Sequence, residues 1–516
     1  MLSAISLAAS PVTSKNPFAT DAYYVNPSYQ KALDSSIATE TDASIKKTLQ
    51  SMRSVPSAYW IDKADKITGN TTDTLEGILR DAASVRPAPL VVVIFYDLPN
   101  RDCDAKASNG EICCYTNADG SCDYGKSGDC ADGLAQYKAQ YVDPFAAVLK
   151  QYHATVPIAV VIEPDSLPNL ATNAGNPHCG NSATRAAYTQ GIAYAVTKLA
   201  AAAPSAALYL DAAHGGWLGW DNNAQSFAAL VKSLNVATHL RGMSSNVANY
   251  QTLGVACPAT AFANKLPLYC QQNKTDPCCA DPCKMLSQWS SGNNELNYVQ
   301  AMSNHLSSAI PGFKPKWVID TGRDGAPEGR QSCSDWCNIR GAGVGALPTS
   351  NVPVPSVVDA YYWLKTPGES DGCTQQLPDG SQCARYDSMC ASPDSIGTQG
   401  GEPRCPEAGL WFDYQIKQLA KNAHMGPSPP AAVEAAALEA AAAPGRCATP
   451  AYAQCGGHGI GDSLCCPGEH VCEGGEALRL CMPTAEKVAR AGHNGLFATA
   501  LEHARERLRR AAAEAA

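Results

Sequence analysis

The sequence predicts an α/β fold with parallel strands and helices outside them, a barrel or a doubly wound sheet. Three observations carry that prediction. Apolar, strand-like runs alternate with stretches of helical periodicity over residues 16–424. The clearest runs are rich in β-branched residues and stop abruptly at turn residues, as buried parallel strands do. Five runs also end alike. Tyr96 is followed by DLPNRDC, Ile162 by EPDS, Leu210 by DAAHGGW, Ile319 by DTGRDG and Leu364 by KTPGESDG. Parallel strands bring such ends to one face, where α/β folds place their chemistry.

The first strand is Leu90–Tyr96 (LVVVIFY). Helical sequence follows over Gly133–Tyr152, with Pro144 expected to begin or kink a helix. Val156–Ile162 is the next strand and runs into Glu163-Pro164-Asp165-Ser166. Taken alone, Asp165 reads as a cap on the turn that follows; the acids after the other strands argue for chemistry instead. Tyr188, Ile192, Ala195 and Leu199 form a helical stripe, Ala206–Leu210 returns as a strand, and Trp317–Ile319 and Val358–Leu364 are further strands.

Outside this unit, residues 1–15 read as a truncated signal peptide or a disordered start, because the short apolar stretch lacks a basic region before it. Residues 425–446 (MGPSPPAAVEAAALEAAAAPGR) are a Pro/Ala-rich linker. Residues 447–483 hold six cysteines, too few other residues for a core without staples, so three disulfides are expected. The Arg/Ala-rich tail, 484–516, places Phe497, Leu501, Ala504 and Leu508 on one helical face and reads as a dispensable extension rather than a partner-binding helix.

Composition narrows the function. The net charge is −9 and no Lys/Arg block interrupts the main body, which excludes nucleic acid as the obvious partner. No apolar run reaches the ~18 residues of a membrane span. The 23 cysteines lack metal-site spacing, and no HExxH is present, so disulfides and a secreted, oxidising setting are expected. Asn70 and Asn273 open glycosylation sequons. Acids beside tryptophans, without metal ligands, suit glycoside cleavage. Sugar rings stack their C–H faces on indole, and hydrolysis needs one carboxylic acid to protonate the leaving oxygen and a means of activating water.

The motifs YDLPNRDCDAKASNGE (96–111), VIEPDSLPNLATN (161–173), YLDAAHGGWLGW (209–220), LRGMSSNVANY (240–250), IDTGRDG (319–325), DWCNIRGAGVGALPTSN (335–351), WLKTPGESDG (363–372) and PEAGLWF (406–412) resemble, in order, glycoside hydrolase family 6. That family comprises cellobiohydrolases and endoglucanases on a distorted parallel β/α barrel, with the active site at the C-terminal ends of the strands. The resemblance implies inverting hydrolysis of β-1,4-glucan without a cofactor, by a monomer binding cellulose or cello-oligosaccharides. It implies that Asp165 is the general acid and that Asp102, with Ser108, raises its pKa and orders the attacking water. The loop 107–111 is similar to one that closes over the sugar. Tyr96 would crowd the reacting ring, Asp371 is similar to the debated base, and Asp211 would be a structural and electrostatic support. Trp60, Trp217, Trp220 and Trp336 would be stacking platforms. Asp62, His214, Asn249, Lys365 and Glu369 would bind glucan hydroxyls. The resemblance also implies the disulfides Cys103–Cys179 and Cys337–Cys390.

Asn100 stands where an acid is common in the family, and Ala213 where glycine is common. Cysteine-rich insertions (Cys113, Cys114, Cys122, Cys130; Cys257 to Cys283) depart from the pattern. The seventeen cysteines of the large unit are an odd number, so one is left free or pairs elsewhere. The small module resembles a fungal-type family 1 cellulose-binding module in YAQCGG (452–457) and in the spacing of Cys455, Cys466, Cys472 and Cys481. Tyr452 matches one platform aromatic; the other two are missing, so weak cellulose binding at most is expected.

The long, cysteine-stapled segment from Lys365 to Gly409 matches the tunnel-forming loop of the family's exo-acting members. Release of cellobiose from non-reducing chain ends is therefore expected. The rivals are an endo-β-1,4-glucanase acting on wall glucan and a non-catalytic glucan-binding wall protein.

Overall fold

The computed structural model describes residues 15–263 and 265–426, three short strands further on (454–457, 470–474 and 478–483), and residues 505 and 509. Expectations for the start of the chain, the linker beyond residue 426, the pairing of the small module's cysteines and its platform residues, and the apolar face of the tail lie outside the described residues, although Cys472 is disulfide-bonded.

Seven strands form one parallel sheet in chain order: β1 Tyr59–Ile61, β2 Val91–Phe95, β3 Ile158–Ile162, β4 Ala207–Asp211, β5 Gly242–Ser245, β6 Lys316–Asp320 and β7 Val358–Tyr362. The sheet curls until its edges meet. Ser57 bridges Trp363 in parallel, and Ala58 N donates to Trp363 O at 2.9 Å. The result is a distorted barrel. Alternation along the strands explains the unbroken apolar runs. Val92, Ile94, Ala159, Val161, Ala207, Tyr209, Val318, Ala360 and Tyr362 pack with Phe18 in one cluster. Val91, Val93, Phe95, Ile158, Val160, Ile162, Leu208 and Leu210 belong to a second, shared with the helices. A strand buried on both faces has no polar side to show in its sequence. The interior also holds a buried ion pair, Arg241 Nε to Asp359 Oδ2 at 2.6 Å, with Tyr209 donating to the same carboxylate at 2.8 Å.

The five expected strands are present, and two more join them. β1 has only three residues. β5 is Gly-Met-Ser-Ser, with nothing β-branched; pairing on both sides makes it a strand. Its Gly242 is obligatory, since a Cβ there would fall 1.7 Å from Lys316 O on β6. The helical stretch over Gly133–Tyr152 is three segments: α-helical Ala131–Gln136, a wider π-turn Tyr137–Val142, and α-helical Asp143–Tyr152, which Pro144 begins from its first turn, as expected. Proline has no N–H to donate, and the first turn is where that costs least. The helix Ser182–Ala202 buries Tyr188, Ile192, Ala195 and Leu199, as its stripe predicts.

Sixteen of the seventeen cysteines pair. Cys103–Cys179 and Cys337–Cys390 are both formed. The insertions close on themselves through Cys113–Cys122, Cys114–Cys130, Cys257–Cys278 and Cys270–Cys279, with Cys283–Cys333 and Cys373–Cys383 beyond. Cys405 is left as a buried free thiol, pushed up to about 12 by burial. Among the described residues no helix is long and apolar enough to cross a membrane. Residues 429–516 form a separate unit, in which the three described strands make an antiparallel sheet with 478–483 in the centre.

Candidate active site

A cavity of about 490 Å³ is lined by the residues that follow the strands' C-terminal ends. Thirteen of the fifteen residues named from sequence line it: Tyr96, Asp102, Ser108, Asp165, Asp371, Trp60, Asp62, His214, Trp217, Asn249, Trp336, Lys365 and Glu369. Asp211 lies behind the wall, fully buried. Trp220 is not in the lining; its Nε1 donates to Gln288 O at 3.0 Å, away from the carboxylates.

The turn after β3 carries the central acid. Glu163 and Asp165 both take left-handed backbone angles, φ +48° and +60°, a conformation that costs a non-glycine residue. Asp165 precedes the helix Ser166–Thr172, but its side chain makes no capping hydrogen bond. The plainer reading of Asp165 as a cap therefore fails. The carboxyl faces the cavity instead and has no hydrogen-bond partner among the described residues. Its backbone N–H donates to Asp211 Oδ2 at 3.0 Å. Asp211 also accepts from Ala213 N at 3.0 Å and Ser244 Oγ at 3.1 Å. Burial first, then the charges of Asp102 and Asp211, hold the Asp165 carboxyl well above the ordinary range. Burial raises Asp211 itself to about 7.

Asp102 enters from the loop after β2, again left-handed at φ +51°. Its Oδ2 accepts from Ser108 Oγ and, at 3.3 Å, from Tyr96 OH; its Oδ1 accepts from Asn169 Nδ2 at 3.4 Å. Burial lifts it to about 6, against the lowering effect of the Ser108 bond. Two supports escaped the sequence reading. Arg101 lies over the Tyr96 ring at 4.3 Å and ties the loop together, donating to the carbonyls of Asp62 and Tyr96 at 2.7 Å and of Ser108 at 2.9 Å. Glu163, fully buried, accepts from Tyr137 OH at 2.8 Å and from Asp97 N at 3.2 Å, so β3 fixes where the Asp102 loop begins. Arg101 adjoins Asp102 and Glu163 lies two residues before Asp165, which was the available signal.

The two departures from the family pattern have local accounts. Asn100 is buried, donating through Nδ2 to Thr184 Oγ1 at 3.0 Å and accepting from Cys114 N at 2.9 Å; an ionised acid could only accept. Ala213 sits at φ +49°, where glycine is unstrained, and keeps its place by donating to Asp211.

Asp371 lies across the cavity with both oxygens engaged. Arg323 Nη1 reaches them at 2.7 and 2.8 Å, while Tyr250 OH at 2.6 Å and Asn338 N at 2.9 Å meet Oδ2. Trp60 anchors its Nε1 on Leu364 O at 3.0 Å and meets Tyr96 edge-on, with Lys365 Nζ 5.1 Å over its ring. Lys66–Asp62 at 2.6 Å and Lys365–Glu369 at 3.4 Å are ion pairs in the wall. Trp217 holds Thr172 Oγ1 at 2.7 Å. His214 Nε2 lies 3.1 Å from Asn249 Nδ2, and burial lowers its pKa to about 3, so the ring is neutral.

Two loops meet over this floor. Lys106 N donates to Asp387 Oδ2 at 2.7 Å, and Arg385 Nη1 to Asn109 O at 3.4 Å. Ala107 packs on the Cys337–Cys390 bridge beside Trp336. As for metals, Cys257, Cys270, Cys278 and Cys279 lie close enough to share an ion, but they are consumed in two disulfides.

A curled parallel barrel that gathers carboxylates and indoles into one cavity defines a carbohydrate-cleaving class of protein. The chain belongs to the glycosyl hydrolases family 6, whose model matches residues 18–423. Exoglucanase 3 of Agaricus bisporus is 34% identical over 413 residues, covering 79% of each chain. The 1,4-beta-D-glucan cellobiohydrolase C of Emericella nidulans is 34% identical over 419 residues, covering 80% of this chain and 79% of its own. Among solved structures, cellobiohydrolase II (Cel6A) of Humicola insolens, in complex with glucose and cellotetraose, superposes with a TM-score of 0.63 at 30% identity, over 79% of this chain and 99% of its own.

Proposed function

We propose that this chain hydrolyses the β-1,4-glucosidic bonds of cellulose with inversion, releasing cellobiose from non-reducing ends. The observation that carries the exo reading is the roof. The loop bearing Lys106 and Asn109 is hydrogen-bonded to the loop bearing Arg385 and Asp387 above the cavity, so a chain is admitted by its end rather than along its length. The cellobiohydrolase names of the relatives support the same reading.

In this reading Asp165 is the general acid. Its carboxyl faces the cavity unpartnered, and burial with two neighbouring acids favours its protonated form well above the ordinary carboxylate range. Asp102 and Ser108 order the attacking water while Tyr96 crowds the reacting ring. Asp371, with both oxygens occupied by Arg323, Tyr250 and Asn338, acts through its field rather than by taking a proton directly. Asp211 supports Asp165. Trp60, Trp217 and Trp336 carry sugar rings, and Asp62, His214, Asn249, Lys365 and Glu369 bind hydroxyls. The eight disulfides of the large unit suit an extracellular enzyme. Residues 447–483 are read as a small cellulose-binding-type module, weak for want of platform aromatics.

The test is hydrolysis of a cello-oligosaccharide followed at once by proton NMR and product sizing. Cellobiose appearing first as the α anomer is the expected result. First appearance of the β anomer, or a ladder of mixed lengths from soluble substituted cellulose, contradicts it.

A further inference from the structure

Glu295 opens the helix Glu295–Ala309 and is wholly buried, outside the lining of the cavity. It joins two segments that do line the cavity. Its Oε1 accepts from Gly215 N at 2.8 Å, in the segment after β4. Its own backbone N–H donates to Thr252 O at 2.9 Å, in the segment after β5. Next to it on the same helix, Leu296 N donates to Leu253 O at 3.2 Å, and one turn on, Tyr298 OH donates to Ala212 O. The start of this helix therefore holds each segment at two points. On the cavity side the same two segments meet through a pair of side chains, with Asn249 Nδ2 3.1 Å from His214 Nε2. His214 lies between the two held residues, Ala212 and Gly215. Asn249 is steadied in turn by Gln251, whose Nε2 reaches its Oδ1 at 3.5 Å just before Thr252.

An acid in the first turn of a helix is ordinary, since it meets the positive end of the helix dipole. Glu295 differs in two respects. It is 0% exposed, where a carboxylate is costly, and its side-chain bond goes to another segment rather than to its own helix. We propose that Glu295 is a positioning residue for the glucan-binding pair His214–Asn249. The inference rests on the glucan-hydrolase reading above. Gly215 N is buried at the start of the short helix Gly215–Leu218, where no helical carbonyl can serve it. The peptide unit that carries this N–H also carries His214 O, which accepts from Trp217 N at 3.0 Å and Leu218 N at 2.9 Å. Fixing that peptide fixes His214. Without Glu295 the N–H must turn toward another acceptor, and His214 turns with it. A pair already set for the hydroxyls of a sugar loses little freedom on binding. Burial pushes the Glu295 carboxyl up to about 8, so in mild acid the group is neutral and an amide copies it in shape and charge.

The test measures KM and kcat on cellotetraose for full-length variants. KM does not depend on the folded fraction, so a destabilised variant still gives a reading. Glu295→Ala should raise KM about five- to tenfold, the worth of one neutral hydrogen bond, with kcat little changed. Glu295→Gln keeps an acceptor for Gly215 N and should restore the KM of the unaltered protein. Combined with His214→Ala, Glu295→Ala should add almost nothing, because the pair it positions is already gone. Should the alanine variant not fold, Glu295→Asp, one methylene shorter and so drawn back from Gly215 N, takes its place. An unchanged KM overturns the proposal even if the melting temperature falls. So does a raised KM that glutamine does not restore, or one that persists in full without His214. Failure of the underlying reading looks different: the unaltered protein would then not cleave cellotetraose.

Discussion

The backbone amide of Asp165 donates to the Oδ2 of Asp211 at 3.0 Å, and that one contact ties the position of the central acid to its proton affinity. The bond helps hold Asp165 at φ +60°, which turns its carboxyl into the cavity instead of onto the following helix. The same Asp211 carboxylate raises the Asp165 pKa, third after burial and Asp102. One buried residue thus aims the acid and helps keep it protonated.

Asp165→Asn should cut turnover by ~10²–10⁴-fold, the usual worth of a general acid, with little change in cello-oligosaccharide binding measured by calorimetry. The amide matches the shape of the carboxyl but cannot give up a proton. Near-wild-type hydrolysis of unactivated cellulose by this variant would remove Asp165 from its role.

Asp211→Asn preserves the volume and one acceptor for the amides of Asp165 and Ala213 but deletes a charge. Burial raises Asp211 to about 7, and its negative charge, once formed, favours the proton on Asp165. Without that charge the alkaline limb of kcat/KM should move to lower pH, by about one unit. A limb that stays put while kcat drops would reduce Asp211 to a purely structural part.

Stability should be greatest in mild acid. Burial raises Asp102 and Asp320 to about 6, Asp211 and Glu163 to about 7 and Glu295 to about 8. Each folded value exceeds the unfolded one of about 4. The folded state therefore binds the extra protons, and stability present below about pH 4 is lost as pH rises through 6 to 8. Against burial, Lys66 and Arg340 hold Asp62 and Glu402 low, and these two limit stability at the acid end. The melting temperature should peak at about pH 4 and decline steadily to pH 8. A flat profile, or a maximum at pH 8, would mean that these carboxyls do not meet the buried surroundings described.

What the sequence made legible was whatever repeats along it. Five strands announced themselves because burial on both faces leaves only apolar residues, and their acidic ends marked the face that carries the cavity. β5 was illegible because Gly-Met-Ser-Ser has no strand preference of its own; two neighbours impose it. Arg101 and Glu163 were passed over because their work is done through partners distant in sequence, Asp62 for one and Tyr137 for the other. Trp220 is a case of another kind. Its motif, DAAHGGWLGW, placed it with Trp217, but Gln288 and Ser290 of the cysteine-rich insertion bind it outside the cavity. No local pattern could have shown where that insertion would lie.

The roof itself can be opened. Asp387 Oδ2 receives Lys106 N at 2.7 Å, its Oδ1 caps the turn Ser388–Ala391 by receiving Met389 N at 2.9 Å, and Arg385 reaches Asn109 O at 3.4 Å. The double substitution Arg385→Ala/Asp387→Ala removes both hydrogen bonds between the loops and leaves the packing of Ala107 on Cys337–Cys390. Losing the cap costs about 1 kcal/mol, which the Cys337–Cys390 bridge next to it should absorb without unfolding the loop. The carboxylates of the floor keep all their hydrogen bonds, so bond cleavage itself should survive. Access should change. A chain could then settle into the cavity sideways, and internal bonds would be cut more often. Carboxymethyl cellulose should lose viscosity faster for each reducing end released than it does with the unaltered protein, while cellobiose makes up a smaller share of the products. If viscosity and product share both stay as they were, the contacts between these two loops do not enforce attack from the chain end, and the exo reading loses its structural support.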